Sequence, residues 1–241
     1  MKLSVLLPAY NEEKTLGAVL DAVMGVDLAG LPQPVEREAI VVDDASADRS
    51  VERVKEKQER CPEIRLLTHE TNRGKGAAIA TALTVADGDV VLVQDADLEY
   101  SVEDYPALLR PFMEEGAQVV YGSRFMKRRW PTGMAWKNWL ANRLLTPIAN
   151  VLYRARISDE ATCFKLFRTE ILRSMHLRAR GFDFCPEVTA LVRLRGIPIV
   201  EVPSEYTART HAEGKKVRWT DGFKAVKTLV RYRLFGERKS N

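Results

Sequence analysis

Along the first hundred residues, two rhythms of apolar and polar positions alternate. Short apolar runs, "LSVLLPA", "AIVVDDAS", "EIRLLTH" and "DVVLVQDAD", are separated by longer stretches with helical spacing. Strands covered on both faces read as near-continuous apolar runs, so each run predicts a strand of a parallel sheet. Leu16, Val19, Leu20 and Val23 repeat at helical spacing after the first run, with Asn11 as the expected cap. Ser46 or Asp48 is the expected cap of a second helix reaching Arg60, and the alanine-rich segment 74–85 predicts a third. With right-handed crossovers this pattern gives an α/β, Rossmann-like, doubly wound, mostly parallel sheet flanked by helices.

Beyond residue 100 the rhythm loosens. A helix near 103–114 leads to the strand "AQVVYGSR", and a basic, tryptophan-bearing stretch follows. "ATCFKLFRTEIL" predicts a strand turning into a helix, "FCPEVTALVRLRG" a helix, and "PIVEVPSEYTAR" an exposed strand. "TDGFKAVKTLVRYRLFG" predicts a C-terminal amphipathic helix, with Phe223, Val226, Leu229 and Val230 near one face together with Trp219. No repeat or linker interrupts the chain, which reads as one domain over residues 1–241. Its parts are a regular strand–helix half over 1–121, a looser half over 122–216, and the basic helix over 217–241.

Composition changes this picture in three places. The 241 residues are 46% hydrophobic and 29% charged, ordinary for a globular protein with a real core. Three cysteines, Cys61, Cys163 and Cys185, lack metal-site spacing and read as reduced thiols. No run approaches the roughly 18 apolar residues of a membrane span, and the strand-like opening suggests no leader, so a cytoplasmic location is expected. The net charge is only +4, but residues 122–156 hold eight Lys or Arg and no acid, with Trp130, Trp136 and Trp139 among them. Basic charge beside tryptophan suits a surface that meets phosphates or lipid headgroups, and equally a solvated face. Nucleic-acid binding is disfavoured, since no RNA-recognition signature accompanies the charge.

Ligands of open parallel sheets sit beyond the carboxyl ends of the strands. Those ends carry Pro8 to Glu12, the pair Asp43-Asp44, the acids Asp95, Asp97 and Glu99, and Arg124. Three acids on alternate residues repel one another unless a cation intervenes. A hard divalent ion such as Mg²⁺ or Mn²⁺ prefers such oxygens and leaves positions open for phosphate, so these acids predict a metal–diphosphate site. "NRGKGAA" is not a P-loop, because its lysine lies between the glycines. It either brings backbone N–H groups to a ligand or makes a turn that needs glycine.

"LLPAYNEE", "VVDDASADRS", "NRGKGAA", "QDADLEY", "GSRF" and "SDEATCFKLFRTE" stand in the order and spacing of family 2 glycosyltransferases of the GT-A fold. Over residues 3–216 the chain resembles the dolichyl- and polyprenyl-phosphate sugar synthases, the group that includes dolichol-phosphate mannose synthases. The resemblance implies that Pro8, Tyr10 and Glu12 line the nucleotide pocket, with Val42 beside it and Asp43 or Asp44 accepting from the base. It implies that Asp95, Ala96, Asp97 and Glu99 form the metal and diphosphate site, and that Arg124 meets the acceptor phosphate. Arg209 and Lys215 have the six-residue spacing of the basic pair that closes over the donor in those synthases. The usual glycine after the paired aspartates is Ala45 here, and the late loop reads "HAEGKK" instead of the more usual Gly-Glu-Ser-Lys.

The implied reaction is inverting transfer of a hexose from a nucleotide diphosphate sugar, GDP-mannose or UDP-glucose, to a polyprenyl or dolichyl phosphate at the cytosolic membrane face. A lipid phosphate is already ionised and needs orientation, whereas a hydroxylic acceptor needs a general base. Asp159 is the expected base, with Glu160 and Glu187 behind it. The C-terminal helix either packs on the domain or on a second subunit, or lies in the lipid interface as a peripheral membrane contact; a membrane-protein partner would also cover it. A soluble transferase with a hydroxylic acceptor, or a non-catalytic nucleotide-sugar or membrane-binding module, are the competing readings.

Overall fold

The computed structural model describes residues 1–209 and 220–237, with only the backbone of Thr220. Lys215 and Trp219 lie outside the described residues. The elements run β1 (Lys2–Ala9), α1 (Leu16–Gly25), β2 (Glu36–Asp43), α2 (Ser50–Gln58), β3 (Ile64–Thr68), α3 (Lys75–Val85) and β4 (Val90–Val93). Then come α4 (Tyr105–Glu114), β5 (Val119–Ser123), α5 (Trp136–Tyr153), β6 (Lys165–Arg168), α6 (Thr169–Arg173), α7 (Phe184–Leu194), β7 (Val200–Pro203) and α8 (Thr220–Phe235).

One seven-stranded sheet has the order β3-β2-β1-β4-β6-β5-β7. All pairings are parallel except those of β6, which is antiparallel to β4 and β5. The apolar runs predicted as strands form its centre, with Leu3, Val5, Leu6, Leu7, Ile40 to Val42 and Val90 to Val93 buried between helical layers. Strand order reverses at the β1/β4 boundary, and a crevice opens there beyond the carboxyl ends. Because β6 runs backwards, the segment leading into it arrives at this same edge; Val93 pairs with Lys165.

Several local expectations are revised. Asn11 does not cap α1. It takes the left-handed conformation (φ 50°), and its Oδ1 accepts from the Ala47 N–H at 2.8 Å, bracing the turn after β2. Asp48, not Ser46, serves the start of α2, accepting from the Ser50 N–H at 3.0 Å. Ala45 occupies the left-handed region (φ 62°), which explains why glycine is usual there; a Cβ in that conformation costs about 1–2 kcal/mol. The basic stretch contains α5, a helix not anticipated from the sequence. α8 packs on α5 and α7 through Ala225, Leu229 and Tyr232, so of the predicted face Leu229 is buried and Val226 half-buried, whereas Phe223 and Val230 are exposed.

Candidate active site

At the end of β1, Pro8 is half-buried, Tyr10 is exposed, and Glu12 is buried. Beside them the paired aspartates have separate tasks. Asp44 is fully engaged, accepting from the Arg73 N–H at 2.8 Å and the Gly74 N–H at 2.7 Å, with His69 Nδ1 at 2.7 Å. Asp43 Oδ2 takes the Ser46 N–H at 3.0 Å, while its buried Oδ1 has no hydrogen-bond partner among the described residues. An unsatisfied buried acceptor costs free energy until a donor arrives. Of the two alternatives, Asp43 is therefore the one equipped to accept from a base, and Asp44 holds the "NRGKG" turn. Val42 is fully buried in β2 and contributes packing. The glycines of that turn permit close approach: a Cβ on Gly74 or Gly76 would run into the carbonyls of Arg180 and Ala179.

β4 ends at Val93, so the three acids lie in the turn beyond it, where Leu98 is left-handed (φ 60°) and half exposed. Each acid meets a different group. Lys75 Nζ lies 2.5 Å from Asp95 Oδ1. Burial opposes the Lys75 charge, but Asp95 carries its pKa above the ordinary lysine value; burial would raise Asp95, and Lys75 more than offsets it. Arg209 donates from Nη2 to Asp97 Oδ2 at 3.0 Å and from Nη1 to Glu12 Oε2 at 3.0 Å. Glu99 accepts from Tyr206 Oη at 2.9 Å and from the Arg209 N–H at 2.8 Å. The Ala96 carbonyl accepts from Thr15 Oγ1 at 2.6 Å.

Among the described residues, no three acidic, histidine or cysteine side chains converge on a point that could hold a metal ion. The expected triad is thus not assembled among the described residues, and Glu99 is engaged by Tyr206 and the Arg209 N–H. Asp95 and Asp97 nevertheless fit a divalent cation. Burial, followed by the charges of Asp95 and Glu99, pushes the Asp97 carboxyl up to about 7. A cation relieves such crowding, with phosphate oxygens and water completing its shell.

The far side of the crevice is built around Arg124, just past the end of β5. Its Nε and Nη2 donate to Asp159 Oδ2 and Oδ1, both at 2.7 Å, and its backbone N–H donates to Oδ2 at 3.0 Å. Asn142 Nδ2 adds a fourth bond to Asp159 Oδ1 at 2.8 Å. Asp159 is completely buried. With both oxygens engaged and no route to solvent, it cannot take a proton from a substrate, so the general-base expectation is replaced by a holding role for Arg124. Glu160 is also fully buried, with no hydrogen-bond partner closing on either carboxylate oxygen among the described residues; burial, partly offset by the Lys165 charge, pushes it up to about 7. Glu187 accepts from the backbone of Arg178 and Ala179 and from Tyr232 Oη, so it is a structural brace.

A cavity of ≈160 Å³ runs from this polar edge inward between α5, α7 and α8. Lys75, Asp95 and Arg124 mark its charged end, and Met134, Leu145, Phe182, Pro186 and Ala225 its apolar walls. Tyr206 and Tyr100 face the Arg124 guanidinium at 5.1 and 6.0 Å. Lys75, Tyr206 and Asn142 were missed in the sequence; only Lys75 gave a signal, as the lysine between the glycines. Trp130 and Trp139 stack at 4.8 Å and clasp the loop before α5, which leaves Trp136 outermost at 59% exposure.

The model of Glycosyl transferase family 2 matches residues 4–175, and the chain belongs to that family. Its fold is GT-A. Glucosyl-3-phosphoglycerate synthase from Mycobacterium tuberculosis, solved with Mn²⁺, UDP and phosphoglyceric acid, superposes with a TM-score of 0.71 at 22% identity, covering 99% of this chain and 80% of that one. Dolichol-phosphate mannosyltransferase of Pyrococcus furiosus is 29% identical over 222 residues, covering 89% of this chain. A dolichyl-phosphate beta-glucosyltransferase of Trichomonas vaginalis is 30% identical over 249 residues, covering 97% of it. The chain spans 59% of the length of the first relative and 73% of the second.

Proposed function

We propose that the chain is an inverting hexosyltransferase that moves mannose or glucose from a nucleotide diphosphate sugar to a polyprenyl-type lipid phosphate. The observation that carries the acceptor class is the cavity: apolar walls lead to a charged mouth at Arg124, while the nearest candidate base, Asp159, is saturated and inaccessible. A hydroxyl would need deprotonation there, whereas a phosphate monoester arrives ionised and needs only placement. The relatives named for dolichyl-phosphate transfer support the same class. GDP-mannose and UDP-glucose are the donors to test, since one relative is named for each sugar.

On this reading Asp43 Oδ1 accepts from the base. Asp95 and Asp97 would hold Mg²⁺ or Mn²⁺, which when bound neutralises charge on the departing diphosphate. Lys75 and Arg209, paired with Asp95 and Asp97, would add positive charge to the same group. Arg124 orients the acceptor oxygen for attack on the face of the sugar opposite the diphosphate.

A membrane surface is the proposed working place, at the cytosolic face. Trp136, Leu140, Leu144 and Val151 form an exposed apolar ridge along α5, and Phe223, Val230 and Leu234 are exposed on α8, which packs on α5 through its other face. Lys137, Arg143, Lys224, Lys227 and Arg231 stand on the same two helices, a composition that favours an anionic leaflet. No described helix is long and apolar enough to cross a membrane.

The test has two stages. Calorimetry with GDP-mannose, UDP-glucose and UDP-N-acetylglucosamine, each with Mn²⁺ and with EDTA, identifies the donor. Transfer from that donor is then compared between a short polyprenyl monophosphate and 3-phosphoglycerate. Transfer to the lipid phosphate is expected; transfer to the glycerate hydroxyl alone overturns the acceptor assignment.

A further inference from the structure

We infer that Asn142 is a positioning residue for the acceptor phosphate: through Asp159 it fixes which edge of the Arg124 guanidinium faces the cavity. The inference rests on the lipid-phosphate reading above and extends it to a residue of α5.

Arg124 has three guanidinium nitrogens. Nε and Nη2 form a two-pronged pair with Asp159, whereas Nη1 makes no hydrogen bond with the described residues. A fork fixed along one edge presents the other in a defined direction, which suits recognition of a tetrahedral oxyanion. Aim then depends on what fixes Asp159. It sits in the segment entering β6, which has no regular structure of its own at residues 158–161. From the β7 side, Glu201 accepts the Ser158 N–H at 2.7 Å and the Asp159 N–H at 3.2 Å.

From the α5 side the grip is on the carboxylate itself. Asn142 Nδ2 donates to Asp159 Oδ1, while Asn142 Oδ1 accepts the Ala161 N–H at 3.0 Å. The amide orientation is dictated, because a flipped amide would set oxygen against carboxylate and N–H against N–H. One turn along, Thr146 Oγ1 accepts the Glu160 N–H at 3.1 Å and donates to Asn142 Oδ1 at 3.4 Å. Asn142 is 4% exposed and also lines the cavity, so the group that sets Arg124 lies in the wall of the acceptor's own pocket. The opposite face of the same helix carries the ridge of Trp136, Leu140 and Leu144. A shift of α5 would therefore move the acceptor arginine.

The test compares binding of farnesyl monophosphate with that of farnesol, which shares the tail and lacks the phosphate, by calorimetry on the full chain. The ratio of the two dissociation constants isolates the phosphate contribution. Asn142→Asp keeps an oxygen for the Ala161 N–H but loses the donor to Asp159; Asn142→Ala removes both. Arg124→Lys sets the scale while preserving the charge opposite Asp159. Losing an ionic hydrogen bond corresponds to a change of about tenfold or more. We expect each Asn142 variant to reduce the phosphate preference about tenfold, farnesyl monophosphate losing correspondingly more affinity than farnesol. The double variant with Arg124→Lys should be little worse than Arg124→Lys alone, because both act on one contact.

A preference unchanged in both Asn142 variants but reduced by Arg124→Lys overturns the inference and leaves the acceptor reading standing. Equal losses for farnesol and farnesyl monophosphate, or full additivity with Arg124→Lys, also overturn it, since a merely structural role behaves that way. Absence of any phosphate preference in the unaltered chain, or its survival in Arg124→Lys, overturns the acceptor reading itself.

Discussion

The two ends of the crevice hold their arginines in different ways. Arg124 is matched to one carboxylate through two parallel bonds, and that carboxylate is gripped from α5. Arg209 is spread over Glu12, Asp97 and the backbone contact to Glu99, acids from two separate turns, and it stands immediately before the segment outside the described residues. A single saturated pair has no reason to open. A cation divided among crowded acids competes with any other cation that arrives. The Arg124 end is thus a fixed frame, and the Arg209 end is a set of ion pairs that, on the proposed reading, a donor and its metal would rearrange.

The largest expected effect separates the two ends directly. As a hypothesis motivated by the saturated pair, Asp159→Ala strands the Arg124 charge in the interior and should cost about 3–5 kcal/mol of stability in urea unfolding. Asp97→Ala removes a carboxyl that burial already disfavours and should cost far less, while abolishing metal-dependent donor binding. Equal stability losses in the two variants would erase the distinction.

Glu160, beneath the acceptor frame, supplies a pH test. Burial raises its pKa to about 7 in the folded chain, against roughly 4.3 when unfolded. Between those values the native state keeps a proton that the unfolded state has lost. Its contribution is fully present below about pH 4 and is lost as pH rises to about 7, a change of about 4 kcal/mol. Glu160→Gln should therefore flatten the decline in stability between pH 5 and pH 8. An unaltered slope would mean another group is responsible.

A smaller effect probes exchange at the donor end. If Arg209 and a divalent cation compete for Asp97, Arg209→Gln should bind Mn²⁺ alone about tenfold more tightly, a gain of about 1.4 kcal/mol, although donor turnover falls. Calorimetry without nucleotide measures this, and unchanged or weaker Mn²⁺ binding would sink the competition. The smallest effect is at Ala45, where glycine relieves the left-handed strain at some entropic cost in the unfolded chain. Ala45→Gly should stabilise by about 0.5–1 kcal/mol in thermal unfolding. A destabilised variant would mean that the strain estimate is wrong.

Legibility followed the range of the interactions. The strands through Leu3–Leu7, Ile40–Val42 and Val90–Val93 were readable because burial on both faces leaves an unbroken apolar run. α5 was not, since buried Leu145 and Ala149 alternate with exposed Leu140, Leu144 and Val151, and Pro147 interrupts the pattern. Such a helix, apolar on two faces, carries no clean amphipathic signal. Candidate site residues stood out in the sequence where they lie at or just past a strand end, as with Asp43, Asp97 and Arg124. The partner of each did not: Asp43 and Asp44 look alike in sequence, but one is saturated by His69 and the 73–74 backbone and the other keeps a free oxygen.

By itself, then, the sequence determined the doubly wound architecture and the edge on which the chemistry lies. Periodicity and strand-end composition are local properties, written residue by residue. Only the tertiary structure decided what each charged group is for. The reversal of β6 brings Asp159 to Arg124 across 35 residues, and Arg209 reaches Glu12 across 197. Whether a buried carboxylate is a base, a ligand or a brace depends on which hydrogen-bond donors reach it, and those donors arrive from elements far away in the chain.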